Sequence, residues 1–200
     1  MKPNLLYKAP SWNQINIMLL NQSRSIRYSG FKPDLIVGVS RGGWIPARIL
    51  SDLLENKNLA SVKVEFYRGI GEALRGPVLT QPLSVDVSGK KVLVVDEVVD
   101  LGKSLRLVLD HVKKQGADDI RTAVLYYKPN CAFKPDYCEE ETECWVVFPW
   151  EIKETLREIL DENKDDPARG RREISRLVES GVPQCLIMCI LKEWFELSKC

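Results

Sequence analysis

Histidine is nearly missing from this chain: His111 is the only one in 200 residues. Cysteine is present but badly spaced for metal. None of Cys131, Cys138, Cys144, Cys185, Cys189 and Cys200 forms a CxxC pair. Both shortages argue against a zinc site, which draws on histidine and closely spaced cysteine. Cys185 and Cys189 stand four apart in an expected helix and share one face. They read as buried, reduced thiols, with a disulfide left open for a hyperthermophilic source. Long apolar runs are also missing. No stretch of roughly eighteen apolar residues occurs, so no membrane span is expected. The N-terminus, MKPNLLYKAPSWNQINIMLL, is unlike a signal peptide, because Lys8, Pro10 and Asn13 interrupt any apolar core. A cytoplasmic location is expected. Net charge is the last shortage: 29 basic against 28 acidic residues give +1. That balance argues against a broad nucleic-acid surface and leaves room for a local phosphate pocket.

What is present fits a soluble globular protein, with 44% hydrophobic and 28% charged residues. The length suits one domain with a modest extension. Apolar spacing predicts a helix over 12–28, a buried strand over 34–40 (DLIVGVS) and a helix over 44–54. An alternating strand, VKVEFY, follows over 62–67. Residues 68–89 hold four glycines and two prolines and read as a long loop with room for one short strand. A second buried strand is expected over 91–95, a helix over 103–114 closed by Gly116, and a strand over 122–127 (TAVLYY). One more strand is expected over 144–147. This alternation predicts an α/β fold with a parallel sheet flanked by helices, in which ligands bind beyond the carboxyl ends of the strands. From Glu151 the composition turns to charged amphipathic helix, a linker NKDDPARGRR with Pro167 placed to open the next helix, and an apolar last helix over 184–197. The expected organisation is a catalytic domain over 1–151 and a helical extension over 152–200.

One loop carries most of the chemistry: VVDEVVDLGKS, Val94 to Ser104. Its GKS ending invites comparison with a triphosphate-binding P-loop. That loop needs a glycine five positions before its GK pair, so that backbone amides can curl around phosphate. Here Glu97 stands in that place, and a carboxylate there opposes phosphate. A different cradle fits better. The buried strand delivers Asp96 and Glu97 to its end, and the turn through Asp100, Leu101 and Gly102 opens a helix at Lys103 and Ser104. Free amides at a helix start suit one phosphate monoester. The acids just outside suit hydroxyls or a magnesium ion. The ligand implied is a ribose 5-phosphate.

At these residues the sequence resembles the phosphoribosyl pyrophosphate (PRPP) motif of type I phosphoribosyltransferases: a hydrophobic strand, two acids, two small or apolar residues, an acid, then Thr-Gly-x-Thr or Thr-Gly-x-Ser. It departs from that motif at Leu101, where threonine is usual, and at Glu97, where aspartate is common. Two further stretches strengthen the likeness. GVSRGGWIPA resembles the loop that binds the pyrophosphate of PRPP, which implies roles for Ser40, Arg41, Gly42 and Gly43. YYKPN with the later Trp145 resembles the base-binding region of the 6-oxopurine branch. There a lysine before proline donates to the six-position oxygen, an aromatic stacks on the base, and a backbone carbonyl reads the base edge. The matching positions are Lys128, Trp145 and Val146. A lysine ammonium only donates, so it favours an oxo group over an amino group.

The resemblance implies the type I fold, a mobile hood over 68–82 with Arg68 (and Arg75 beside it) as a second pyrophosphate ligand, and Mg2+ held near Asp96 and Glu97 through ribose or water. It implies Asp96, Glu97, Leu101, Gly102, Lys103 and Ser104 around the ribose phosphate, and Asp100 as general base. The implied reaction is PRPP plus a 6-oxopurine giving a nucleoside 5-monophosphate and pyrophosphate, with no nucleic acid and no membrane involved. A homodimer or higher homo-oligomer is implied too. The five acids of Asp136 to Glu143 read as solvated surface. Two rivals remain: a PRPP-sensing regulator without turnover, and an enzyme for another base such as orotate.

Overall fold

The structure is a computed structural model that describes residues 6–66 and 76–197. These residues divide into two compact units. One holds 16–66 and 76–142; the other joins 6–15 to 143–197.

The strands and helices, in chain order, are β1 (Tyr7–Lys8), α1 (Trp12–Tyr28), β2 (Leu35–Ser40), α2 (Trp44–Leu53), β3 (Leu59–Phe66), β4 (Pro77–Gln81), β5 (Lys91–Val99), α3 (Lys103–Lys114), β6 (Asp119–Tyr127), β7 (Tyr137–Glu141), β8 (Trp145–Val146), α4 (Ile152–Glu162), α5 (Pro167–Glu179) and α6 (Gln184–Leu197).

The larger unit is built on a six-stranded sheet in the order β4-β3-β2-β5-β6-β7. All neighbours are parallel except β3 and β4. Its central strands are buried over LIVGV and VLVV, as strands covered on both faces must be. Leu35, Val37, Val92 and Val94 share a core with Leu105, Val108 and Val112 of α3. On the other face α2 lies close over β2. A Cβ on Gly38 would stand 3.0 Å from the Ala47 Cβ, so glycine there permits that approach. α1 starts on a reciprocal cap, in which Gln14 accepts from the Ser11 amide and the Ser11 hydroxyl accepts from the Gln14 amide. Further along α1, Gln22 donates to the Val124 carbonyl of β6 at 2.8 Å.

Four expectations change here. Cys185 and Cys189, expected as buried thiols, are exposed, because Ile187 and Ile190 take the packed face of α6. β5 runs to Val99, so Asp96 and Glu97 lie within the strand rather than beyond it. The reason is β6, which begins at Asp119 and pairs with β5 as far as Val99 opposite Tyr127. The acidic stretch after Asp136 keeps its acids at the surface, exposed or half-buried, but it is also an edge strand, which was not expected. Its Tyr137 is buried, and Asp136 accepts from both the amide and the hydroxyl of Thr122 at 2.8 Å. Acids on such an edge keep it from pairing with another chain. Most of the expected linker before Ile174 is helical, because Asp166 caps α5 by accepting from the Arg169 amide and Pro167 sits in the first turn.

The second unit has its own core, formed by Val147, Ile152, Leu156, Ile159, Leu177, Val182, Ile187 and Ile190. Its two-stranded parallel sheet pairs β1 with β8. The N-terminal residues therefore group in space with the helical extension, and the division at 151/152 does not coincide with this grouping. The reason is that Tyr7 and Ala9 pack on the extension's core. No helix among the described residues is long and apolar enough to cross a membrane.

Candidate active site

In a parallel sheet all carboxyl ends point one way, and a cavity of about 470 Å3 opens at that end of β2, β3 and β5. Three loops frame it. The first follows β2 and runs through Ser40, Arg41 and Gly42, with a cis peptide bond between Ser40 and Arg41. The second is the end of β5 with its turn, Asp96 to Ser104. The third consists of Phe66 and Gly76, which flank the start of the β3–β4 pairing.

The two glycines of SRGG have distinct steric roles. A Cβ on Gly42 would overlap the Glu97 carboxylate, 1.9 Å from its Oε1. A Cβ on Gly43 would meet the Val95 and Val39 carbonyls at 2.6 and 2.7 Å and the Asp96 Cα at 2.8 Å. Residues without side chains are therefore required for the loop after β2 to lie against the acids of β5.

The two acids are electrostatically unusual. Burial pushes the Asp96 carboxyl above its ordinary range, against the pull of the Glu97 amide, which donates to its Oδ1 at 3.0 Å. Burial, then the adjacent Asp96 carboxylate, push Glu97 well above the usual carboxylate range, while the charge of Arg41 acts the other way. Glu97 Oε2 is buried with no hydrogen-bond partner. An orphaned buried acceptor in a cavity fits a site that receives a hydroxyl or a cation.

The turn beyond them suits an anion. Gly102 has φ +77°, the left-handed conformation that glycine adopts without strain, and it begins α3. Arg106 donates to the Gly102 carbonyl, so the helix ladder starts there and the amides just before it are free for a ligand. Leu101 is 51% exposed in the turn, not part of the core. Behind the turn, Phe133 and Cys131 lie 3.2 and 3.3 Å from where a Gly102 Cβ would be. The reading of the sequence missed these two, and missed Phe66 as a wall of the cavity; the aromatic and thiol among polar neighbours were the only signal.

Of the anticipated site residues, the structure brings Ser40, Arg41, Gly42, Asp96, Glu97, Asp100, Leu101, Gly102, Lys103 and Ser104 around one cavity. Gly43 lies directly behind it. Lys128 follows β6, is half-buried, and donates its amide to the Val99 carbonyl at 2.9 Å, one residue before Asp100. Trp145 and Val146 form β8 in the other unit. Trp145 is 47% exposed, so it is not ordinary core, and Val146 is buried. Arg68 and Arg75, with most of the expected hood, lie outside the described residues; the part described, Pro77–Gln81, is the short strand β4. Among the described residues, no group of three or more metal-ligating side chains exists. A cation here would need ligand oxygens or water besides Asp96 and Glu97.

Comparison with known proteins agrees with this geometry. The phosphoribosyl transferase domain model matches residues 8–155. The chain is 31% identical to the xanthine-guanine phosphoribosyltransferase of Gluconobacter oxydans, over 72% of this chain and 84% of that one. It is 28% identical to the hypoxanthine-guanine phosphoribosyltransferase of Schizosaccharomyces pombe, over 77% and 92%. A purine phosphoribosyltransferase from Pyrococcus horikoshii superposes with a TM-score of 0.66 and 40% identity, covering 72% of this chain and 93% of its own. A glycine-lined loop pressed on two strand acids above a helix-start cradle is thus carried by a sequence that belongs to the phosphoribosyl transferase domain family.

Proposed function

We propose that the protein is a purine phosphoribosyltransferase of salvage metabolism, moving the 5-phosphoribosyl group of PRPP to guanine, hypoxanthine or xanthine. The observation that carries this reading is the convergence of the SRGG loop, the Asp96–Glu97 pair and the start of α3 on one cavity. The relatives named for xanthine-guanine and hypoxanthine-guanine transfer support the choice of base class.

In this reading the 5-phosphate lies on the amides and hydroxyl of Leu101 to Ser104, at the positive end of α3. Asp96 and Glu97 accept the ribose hydroxyls, and their negative charge suits a ribosyl centre that becomes cationic as pyrophosphate departs. Arg41 and the amides of Gly42 and Gly43 receive the leaving pyrophosphate. Asp100 takes the proton of the purine imidazole ring as general base. Lys128 donates to the six-position oxygen, Trp145 stacks on the base, and Val146 reads its edge through the backbone. Mg2+ bound with PRPP, near Asp96 and Glu97, supplies charge neutralisation on the pyrophosphate. The orphaned Glu97 oxygen supports that placement. A cytoplasmic location, Arg68 as a further pyrophosphate ligand, and assembly into a homodimer or larger oligomer complete the reading; these rest on the family resemblance.

The test is steady-state pyrophosphate release at fixed PRPP with guanine, hypoxanthine, xanthine and adenine. Turnover is expected with at least one oxopurine and not with adenine. Tight PRPP binding without turnover on any base would replace this reading with that of a PRPP sensor.

A further inference from the structure

The helices after residue 155 lie beyond the matched family model, so nothing in the proposed reaction gives them a task. Their contact with the start of the chain suggests one. β1 and β8 are two residues each, with Tyr7 opposite Trp145 and Lys8 opposite Val146. The Trp145 amide donates to the Leu6 carbonyl at 2.7 Å, and the Val147 amide to the Lys8 carbonyl at 2.8 Å. A two-stranded pair this short has no stability of its own and needs support from outside.

That support comes from α5. The Tyr7 hydroxyl donates to Glu173 Oε2 at 3.1 Å, and Arg176 donates to the other oxygen, Oε1, at 2.9 Å. Glu173 is only 9% exposed, so both of its carboxylate oxygens are committed inside the unit. Burial, then the Glu173 charge, raise the Tyr7 hydroxyl well above its usual range, which keeps the phenol protonated as donor. Around this bond the packing is continuous: Tyr7, Ala9 and Val147 join the core of α4, α5 and α6. At the α5–α6 turn Gly181 has φ +115°, and a Cβ there would come within 3.1 Å of the Ala9 carbonyl. The extension thus closes on β1 from both its hydrogen-bonded and its packed side.

We propose that Tyr7 and Glu173 are positioning residues for base recognition, through which the helical extension fixes the strand that carries Trp145 and Val146. This rests on the reading of Trp145 and Val146 as base contacts. The extension then acts on the base half of the reaction and leaves PRPP recognition alone, since the described residues that line the proposed PRPP cavity all fall between Val39 and Leu105.

The experiment compares Tyr7→Phe, Glu173→Ala, Glu173→Gln and Trp145→Ala in the full chain, measuring KM for the preferred oxopurine, KM for PRPP, kcat and Tm. Tyr7→Phe keeps the packed ring and loses only the donor. It and Glu173→Ala should raise the base KM by up to about tenfold, because losing the bond lowers the fraction of molecules with β8 in place, by at most the worth of that bond. PRPP KM should stay within about twofold. Glu173→Gln keeps an acceptor for Tyr7 and should restore most of the base affinity. Trp145→Ala should raise the base KM at least as far. If Trp145→Ala raises it while Tyr7→Phe and Glu173→Ala do not, the extension has no such role and the base-strand reading stands. If Trp145→Ala leaves it unchanged, the base-strand reading fails and takes this proposal with it. A parallel rise in both KM values with a fall in Tm would reduce the Tyr7–Glu173 bond to general stability and overturn the proposal.

Discussion

Leu101 and the paired glycines show how much one side chain decides at this site. Leu101 stands where the family motif has threonine, and its side chain is half in solvent. A hydroxyl there would add one bond to a charged phosphate, worth about 1.5–3 kcal/mol. Replacing an exposed leucine removes no core contact, so Leu101→Thr should tighten PRPP binding by tenfold or more, readable as Kd by calorimetry. Unchanged affinity would mean that the turn's backbone amides already saturate the phosphate. Gly42 and Gly43 should separate structure from function. At Gly42 an added methyl meets the free end of Glu97, which can swing away. Gly42→Ala should therefore fold with near-normal Tm and lose most PRPP turnover. At Gly43 the added methyl meets three backbone atoms of β2 and β5, which cannot swing. Gly43→Ala should destabilise by about 1–3 kcal/mol, seen as a lower Tm, before any effect on activity is considered. Equal Tm values for the two variants would contradict this division.

At the level of elements, a helix and an edge strand are tied by a link that composition alone hides. His111 of α3 accepts from the Leu83 amide at 3.1 Å through Nε2, so its ring carries the hydrogen on Nδ1. One turn on, Gln115 donates to the Leu83 carbonyl at 3.3 Å. Both backbone groups of a buried residue just past β4 are thus held by the helix that begins at the phosphate turn. His111→Ala strands the Leu83 amide without an acceptor and should cost about 1–3 kcal/mol. At about 2–4 °C per kcal/mol for a chain this size, that is a readable fall in Tm. His111→Gln, which can offer an acceptor, should lose less; equal losses would show that the ring's packing matters and its bond does not. The single histidine thus ties α3 to the backbone of Leu83. The elements that were legible were those with strong periodicity or distinctive turn chemistry. The strands expected over 34–40 and 91–95 and the helix opening at Lys103 all announced themselves. What stayed hidden had physical causes. β7 is an acidic edge strand, and its inward Tyr137 is one residue beside three acids. β1 is two residues long, too short for any period. Its partner residues, and the Tyr7–Glu173 bond across 166 positions, depend on contacts that no local pattern encodes. The cavity residues were legible because glycines and charges stand in a fixed order in the two loops that line it. The wall formed by Phe66 and the backing of Gly102 by Cys131 and Phe133 needed the fold.

For the whole molecule, the two acids at the cavity couple stability to pH. Asp96 and Glu97 stand side by side and half-buried, and both carboxyls are pushed above the ordinary range, first by desolvation. A group whose pKa is raised on folding binds more protons folded than unfolded. Its contribution is complete below the unfolded value, about pH 4 for a carboxyl, and is lost as pH rises through the folded value. The ligand-free protein should therefore lose stability from this pair as pH climbs from about 4 through neutrality, because ionising desolvated carboxylates without a partner is costly. PRPP with its cation, meeting these same acids, should restore what ionisation removed. Glu97→Gln removes the more strongly raised of the two groups. Without ligand, the variant should gain Tm over the parent at pH 8 and gain little or nothing at pH 5, as scanning calorimetry would show. With PRPP and Mg2+ present, the order at pH 8 should reverse, because the parent regains a charged contact that the variant lacks. A Tm difference that is the same at both pH values would mean the pair stays paired and neutral throughout, and that the cavity's acids are not the source of this tension.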